Sequence, residues 1–202
     1  MKNVLIISNS FLPNTGGVET HLYHLCSYLS KRGYRIFVLT YQPLTTRVKG
    51  LTRENIGNLQ IFRLSWFGCG LFHKLVKTPL MLFLYLFPGL FVATLLFLLR
   101  NHSFIDVIHA QGLVSAFVIK IVNQIFKKRC ILSLHSIIGF DKQGFLGKVV
   151  PWIVSSFQGV ITYSQKSRDE LVSLGIPEKK ILLCRQWVNF KIFKPLSHAK
   201  CN

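Results

Sequence analysis

The chain has 202 residues, half of them hydrophobic and 17 of them Phe: enough for one well-cored domain, too few for two of ordinary size, and too apolar for disorder. Twenty-five Lys and Arg against seven Asp and Glu leave a net charge of +18. That charge implies a polyanionic partner, whether nucleic acid, an anionic membrane surface or phosphate-bearing substrates; the accompanying apolarity tilts the choice toward a membrane, and no nucleic-acid motif is present. Five cysteines, odd in number and with no C-x-x-C pair, argue against a disulfide framework or a zinc site and for a reducing compartment.

The N-terminus, MKNVLIISNSF, lacks the apolar h-region and small-residue cleavage site of a signal peptide. Its apolar run, Val4–Ser8, reads instead as a first strand covered on both faces, and the chain is expected in the cytoplasm. A Pro/Asn/Gly loop ending in Gly16-Gly17 follows. Leu22, Leu25, Cys26 and Leu29 then recur at helical spacing, with Gly33 as a stop, before the strand Tyr34–Tyr41. This is a βαβ unit. The alternation continues with a strand at Leu59–Leu64, a long apolar helix over 78–100, a strand at Asp106–Ala110 and a helix at Val114–Phe126. Cys130–His135 reads as a strand, Phe145–Ser156 as a helix, Gly159–Ser164 as a strand, Lys166–Leu174 as a helix stopped by Gly175, and Lys180–Leu183 as a last strand. The expected fold class is α/β, a doubly wound parallel sheet of Rossmann-like type in a single domain.

Residues 79–99 form an uncharged segment long enough to cross a bilayer. Pro88-Gly89 near its centre would kink a span, and strands from either side of it are expected to pair in one sheet, which a span would forbid. Two readings remain, a helix buried in the protein and a helix docked at a membrane interface with Lys74, Lys77 and Arg100 at its flanks. Leu80, Phe83, Leu84, Phe87, Phe91, Leu95 and Leu98 are expected to face the sheet, leaving Leu82, Leu86, Leu90 and Phe97 outside.

Gly16-Gly17 sits where a strand passes into a helix, a place where backbone N–H groups can receive a phosphate; the alternative is a simple tight turn. His109-Ala110-Gln111-Gly112, His135-Ser136 and Tyr163-Ser164 fall just past strand carboxyl ends, where open α/β sheets bind ligands. Each His also admits a reading as an ordinary strand-end residue. Glu19, in the first turn of the following helix, is a candidate carboxylate, with a helix-dipole role as its alternative.

Three stretches carry a resemblance. PNTGGVETHLYHLCSYLSKRGYRIFVLT resembles the opening of retaining GT-B glycosyltransferases of the nucleotide-sugar-dependent, group-one type. DVIHAQG resembles their DVIHAHG strand end, and VITYSQKSRDELVSLGIPEKKILLCRQWVNFKIFKP resembles their VIxxSxxxxxxLxxxGxPxxKIxVIPNGVDxxxFxP segment. The likeness covers residues 2–195 and is weakest over about 43–100.

The resemblance implies an N-terminal, acceptor-side Rossmann-like domain over 1–195, with 196–202 as linker or tail and the C-terminal donor-binding domain absent. It implies sites for substrate or diphosphate at Gly16, Gly17, His109, Gln111, Gly112, His135, Ser164, Gln186 and Asn189. Catalytic candidates are Gln111, His109 and Glu19. Gln111 replaces the family's second His and cannot act as an acid or base. No metal or cofactor is implied; a nucleotide-sugar is the donor substrate, held by a C-terminal domain or separate chain. The acceptor is expected to be lipid-linked or a saccharide at the inner membrane face, and this chain alone is expected to be inactive. The rival reading is a non-catalytic membrane-surface module, or a remnant of such an enzyme.

Overall fold

A computed structural model describes residues 2–67, 70–135 and 145–184, the side chains of Phe145 and Leu146 excepted. The elements are β1 (Asn3–Ser8), α1 (Gly17–Lys31), β2 (Arg35–Tyr41), β3 (Arg53–Ile56), β4 (Leu59–Leu64), α2 (Leu71–Leu75), α3 (Pro79–Asn101) and β5 (Val107–Gln111). They continue as α4 (Gly112–Phe126), β6 (Arg129–Leu134), α5 (Phe145–Val154), β7 (Gly159–Thr162), α6 (Gln165–Ser173) and β8 (Ile181–Leu183). The strands form one sheet in the order β3-β4-β2-β1-β5-β6-β7-β8, parallel throughout except for β3. The expected doubly wound α/β sheet is therefore the observed fold.

Two helix ends show how local chemistry sets the element boundaries. Gly33 and Gly175 both take φ +84 just past the ends of α1 and α6. There Gly33 N–H bonds the Ser30 carbonyl and Tyr34 N–H the Leu29 carbonyl; Gly175 and Ile176 do the same to Val172 and Leu171. A side chain at that left-handed position would be strained, so glycine marks the stop.

Helix α1 covers one sheet face, burying Leu22 and Cys26 against Val4, Ile6, Ile36, Val38, Leu59 and Ile61. Helices α3 and α4 cover the other, over Leu5, Ile7, Phe37, Leu39, Ile108 and Leu132. The alternation of faces along each strand follows from the two-residue period of the pleat.

Strand β3 was not expected. Its sequence, Arg-Glu-Asn-Ile, has no apolar alternation, because it is an antiparallel edge strand with a mostly exposed surface. It is held by polar contacts: Glu54 pairs with buried Arg63 at 2.8 Å, and Arg63 also donates to the Leu12 and Leu51 carbonyls.

Helix α3 is turned part way from the face its sequence suggested: Leu98 is buried and Phe87, Phe91 and Leu95 pack against the core as expected, but Leu86 and Leu90, expected outside, are buried as well. Leu86, Leu90, Thr94 and Leu98 are buried, while Leu80 and Leu84 are exposed. The reason is a side chain in the helix ladder. Leu90 N–H donates to the Tyr41 hydroxyl at 2.7 Å, and that hydroxyl donates in turn to the Leu86 carbonyl. Tyr41 thus stands between two groups that would bond each other in a regular helix, next to Pro88, which has no N–H to give. Trp66 Nε1 adds a bond to the Tyr85 carbonyl at 2.9 Å. Both rings reach the helix backbone because residue 89 lacks a Cβ, which would otherwise sit 2.7 Å from Tyr41 Oη and 2.8 Å from the Trp66 ring. Gly89→Ala is accordingly expected to cost about 1–3 kcal/mol by overpacking. Tyr41→Phe is expected to cost a similar amount through the lost bridge. Urea denaturation checks both, and a Gly89→Ala domain as stable as the parent would refute this packing.

Strands β1 and β5 flank α3 in sequence yet pair in register from Val4↔Val107 to Ser8↔Gln111. The helix therefore cannot cross a membrane while the sheet is intact, although its mean hydropathy of 2.4 would suffice for a span.

Candidate functional site at the carboxyl edge of the sheet

Strand register builds the site. Gln111 pairs with Ser133, and Ser133 with Ile161, so in a parallel sheet these three share one face. Two-residue steps along each strand add His109, His135 and Tyr163 to that face. The opposite face carries Ile108, Ala110, Leu132, Leu134 and Val160, all buried in the core. Five polar or aromatic groups from three strand ends are thereby gathered on the α1 side, and α1 supplies a sixth, His21.

These six form one continuous chain of hydrogen bonds. His135 Nε2 lies 3.0 Å from Gln111 Oε1, and Gln111 Nε2 lies 3.1 Å from His109 Nε2. His109 Nε2 is 2.8 Å from Ser133 Oγ, to which the Tyr163 hydroxyl donates at 3.3 Å. His21 Nε2 approaches the Tyr163 oxygen at 3.1 Å. The pattern assigns the protons: His135 donates to the Gln111 carbonyl oxygen, the Gln111 amide donates to His109, and Ser133 donates to the same His109 nitrogen. His109 then carries its own proton on Nδ1. The His135 and Tyr163 rings stack with centroids 4.5 Å apart, and His21 meets both edge-on.

Burial keeps these imidazoles neutral. Desolvation, reinforced by His135 and His21, lowers the pKa of buried His109 from 6.5 to about 4. Desolvation and His21 likewise lower that of His135 to about 4, against a smaller opposing pull from Glu19. His21 is lowered too, by burial and then His24. Burial raises the Tyr163 phenol. At neutral pH the cluster is therefore an uncharged hydrogen-bonding surface, suited to orienting hydroxyl groups and poorly suited to donating protons. Among the described residues no three His, Cys, Asp or Glu gather as metal ligands.

The remaining sequence candidates divide. Gly16 and Gly17 are exposed at the N-terminus of α1, but Glu19 folds back over this loop. Its carboxylate accepts from Ser10 Oγ at 2.6 Å, and a Cβ on Gly16 would sit 2.3 Å from Glu19 Oε2. An anion arriving at this helix end would have to displace that side chain, which already complements the dipole. Ser164 caps α6, accepting from Ser167 N–H at 3.1 Å, a structural task. Gly112 opens α4 directly after Gln111. Gln186 and Asn189 lie outside the described residues.

Sequence reasoning did not single out His21 or Ser133. Ser133 becomes visible only with the register that sets it opposite Gln111. His21 sits two residues after Glu19 in a helix whose inward face is otherwise apolar, and only the side-chain contact between the first turns of α1 and the residue after β7 brings it to Tyr163.

Comparisons with known proteins fit this architecture. A phosphatidylinositol N-acetylglucosaminyltransferase subunit from Arabidopsis thaliana is 24% identical over 201 residues, covering 96% of this chain and 41% of that protein. The human protein of the same name is 41% identical over 39 residues, covering 19% of this chain and 8% of that protein. Among solved structures, sucrose-phosphate synthase from Thermosynechococcus elongatus superposes with a TM-score of 0.71 at 17% identity, over 97% of this chain and 51% of that one. Anabaena HepE in complex with UDP-glucose gives 0.62 at 16% identity, over 95% and 46%. The chain thus spans about half or less of these four proteins, and these likenesses bear out the resemblance to the N-terminal half of a GT-B fold. The profile of Glycosyltransferase Family 4 matches residues 15–189, most of the sequence, and this chain belongs to that family.

Proposed function

We propose that this chain is the acceptor-side half of a glycosyltransferase that moves a sugar from a nucleotide-sugar to a lipid-linked or saccharide acceptor at a membrane surface. The observation that carries the reading is the neutral His135–Gln111–His109 chain at the strand carboxyl ends. His135 is partly buried and held by both a stack and a hydrogen bond, so it presents a fixed ring to the cleft. Such a preorganised polar wall favours hydroxyl binding and orientation, which lower a barrier by positioning. Glu19, engaged by Ser10, is not placed as a free base.

The UDP-glucose bound to HepE supports a nucleotide-sugar donor, and the name of the Arabidopsis relative supports a phosphorylated lipid acceptor. The donor would be held by a second domain, in the same polypeptide or another; residues 1–195 would form the acceptor domain and 196–202 a linker. No cofactor is required beyond the nucleotide-sugar itself.

Membrane attachment is supported by the outward stripe of α3. Leu84, Val92 and Leu99 are 53%, 51% and 56% exposed, with Lys74, Lys77 and Arg100 at the helix ends. An apolar stripe framed by cations on a protein of net charge +18 complements an anionic bilayer at the cytoplasmic face.

The test is a glycosyl-transfer assay on membranes holding this chain, with and without a donor-binding half, across a panel of labelled nucleotide-sugars. Transfer only with both present is the expected result. Transfer by this chain alone would overturn the division of labour, and no transfer in either case would leave a non-catalytic membrane module.

A further inference from the structure

At the opposite, amino-terminal edge of the sheet a pocket of about 350 Å³ is lined by Lys120, Lys127, Lys128, Asn123, Ser156 and Gln158, with Gln124 at its rim. It lies between the last turns of α4 and the turn joining α5 to β7, so it is separate from the carboxyl-edge cluster. Three lysines line it, and α4, β6, α5 and β7 contain no Asp or Glu to offset their charge. Like charges gathered around one cavity repel unless an anion enters.

The walls are fixed. Asn123 accepts from Lys128 N–H at 2.7 Å and donates to the Lys128 carbonyl at 2.9 Å, pinning the turn in which Lys127 takes φ 51. Gln158 Oε1 accepts from Cys130 N–H at 2.6 Å, which leaves its amino end to offer. Lys120 bonds Ser155 Oγ at 3.2 Å and lies 4.6 Å over the Trp152 ring. Lys180 holds the Ser155 and Phe157 carbonyls of the same turn.

We propose that this pocket binds the phosphate of an anionic phospholipid headgroup, anchoring the domain at a second point on the bilayer. Lipid is favoured over free phosphate by what surrounds it. Trp152 is 48% and Ile125 67% exposed beside the pocket. Trp152 continues through Phe117 to Phe83 and Phe87 of α3, so the apolar helical surface reaches the pocket rim. An exposed indole and long Lys stems next to apolar surface suit the headgroup level of a membrane.

The inference is independent of the catalytic reading, and flotation on vesicles tests it with the full chain. Binding is compared between phosphatidylcholine vesicles and the same vesicles doped with phosphatidic acid. The parent is expected to bind the doped vesicles at least tenfold more tightly. Lys127→Asn with Lys128→Gln is expected to lose most of that gain, while the charge-matched pair Arg47→Gln and Lys49→Gln keeps it; melting curves verify that both variants fold. Equal losses in the two pairs would reduce the effect to net charge and overturn the site. So would the absence of any preference for phosphatidic acid. Inorganic phosphate that shields Lys127 and Lys128 from acetylation, with unchanged vesicle binding in the variant, would identify a soluble anion and overturn the lipid assignment. Binding to undoped vesicles reports on the α3 stripe, so failure of the pocket and failure of α3 docking are separable.

Discussion

Acidifying from about pH 7 toward pH 4 is expected to destabilise this domain, with His109 the principal titrating group. Its pKa in the fold is about 4 against an ordinary 6.5, chiefly because the ring is desolvated. Between those values the unfolded chain takes up a proton that the fold refuses. Stability is therefore full above about 6.5 and falls as pH drops, with the loss complete near the folded value. For a ring this buried the effect is on the order of 3 kcal/mol. His135 titrates in the same direction and adds less than its shift implies, because it is only partly buried and solvent screens it. Thermal melts across this range check the sign, and His109→Gln, which keeps a donor and an acceptor, should flatten the curve. A variant with the parent's pH slope would show that other groups control acid stability.

The second large effect concerns the proposed glycosyl transfer, assayed with a donor-binding half present. His135→Ala is expected to lower kcat/KM for the acceptor about a hundredfold, the scale of one preorganised hydrogen-bonding group lost from a transition state. If the ring forms the acceptor wall as proposed, donor KM should change little. Gln111→Leu should do comparable damage and also lower stability, since it leaves both His109 Nε2 and His135 Nε2 without their amide partner. His102→Gln, at the far edge of the sheet against Phe126, serves as the control. Equal acceptor kinetics for parent and His135→Ala would remove His135 from the site.

The glycines, strand ends and apolar periods were legible because each is set by local chemistry. Gly33 and Gly175 end their helices by a backbone conformation other residues avoid. The apolar runs at Val4–Ser8, Tyr34–Tyr41 and Asp106–Ala110 read as strands, the first as one covered on both faces. His109, Gln111 and His135 stood out as candidates because open parallel sheets place binding groups at strand carboxyl ends.

What stayed illegible depends on partners distant in the chain. Arg-Glu-Asn-Ile becomes an edge strand only because β4 and Arg63 are there to receive it. The inward face of α3 could not be read from a helix apolar on all sides. It was decided by Tyr41, 45 residues before Leu86, whose hydroxyl enters the ladder beside Pro88 and Gly89. His21 and Ser133 joined the site only through helix packing and strand register, which bring residues 142 and 24 positions apart into contact with Tyr163 and His109. By itself, then, the sequence determined the αβ alternation, the strand ends that carry polar groups and the family likeness, since these follow from periodicity and short motifs. The tertiary structure alone decided which neighbours those groups meet, because hydrogen bonds and burial are properties of proximity in space.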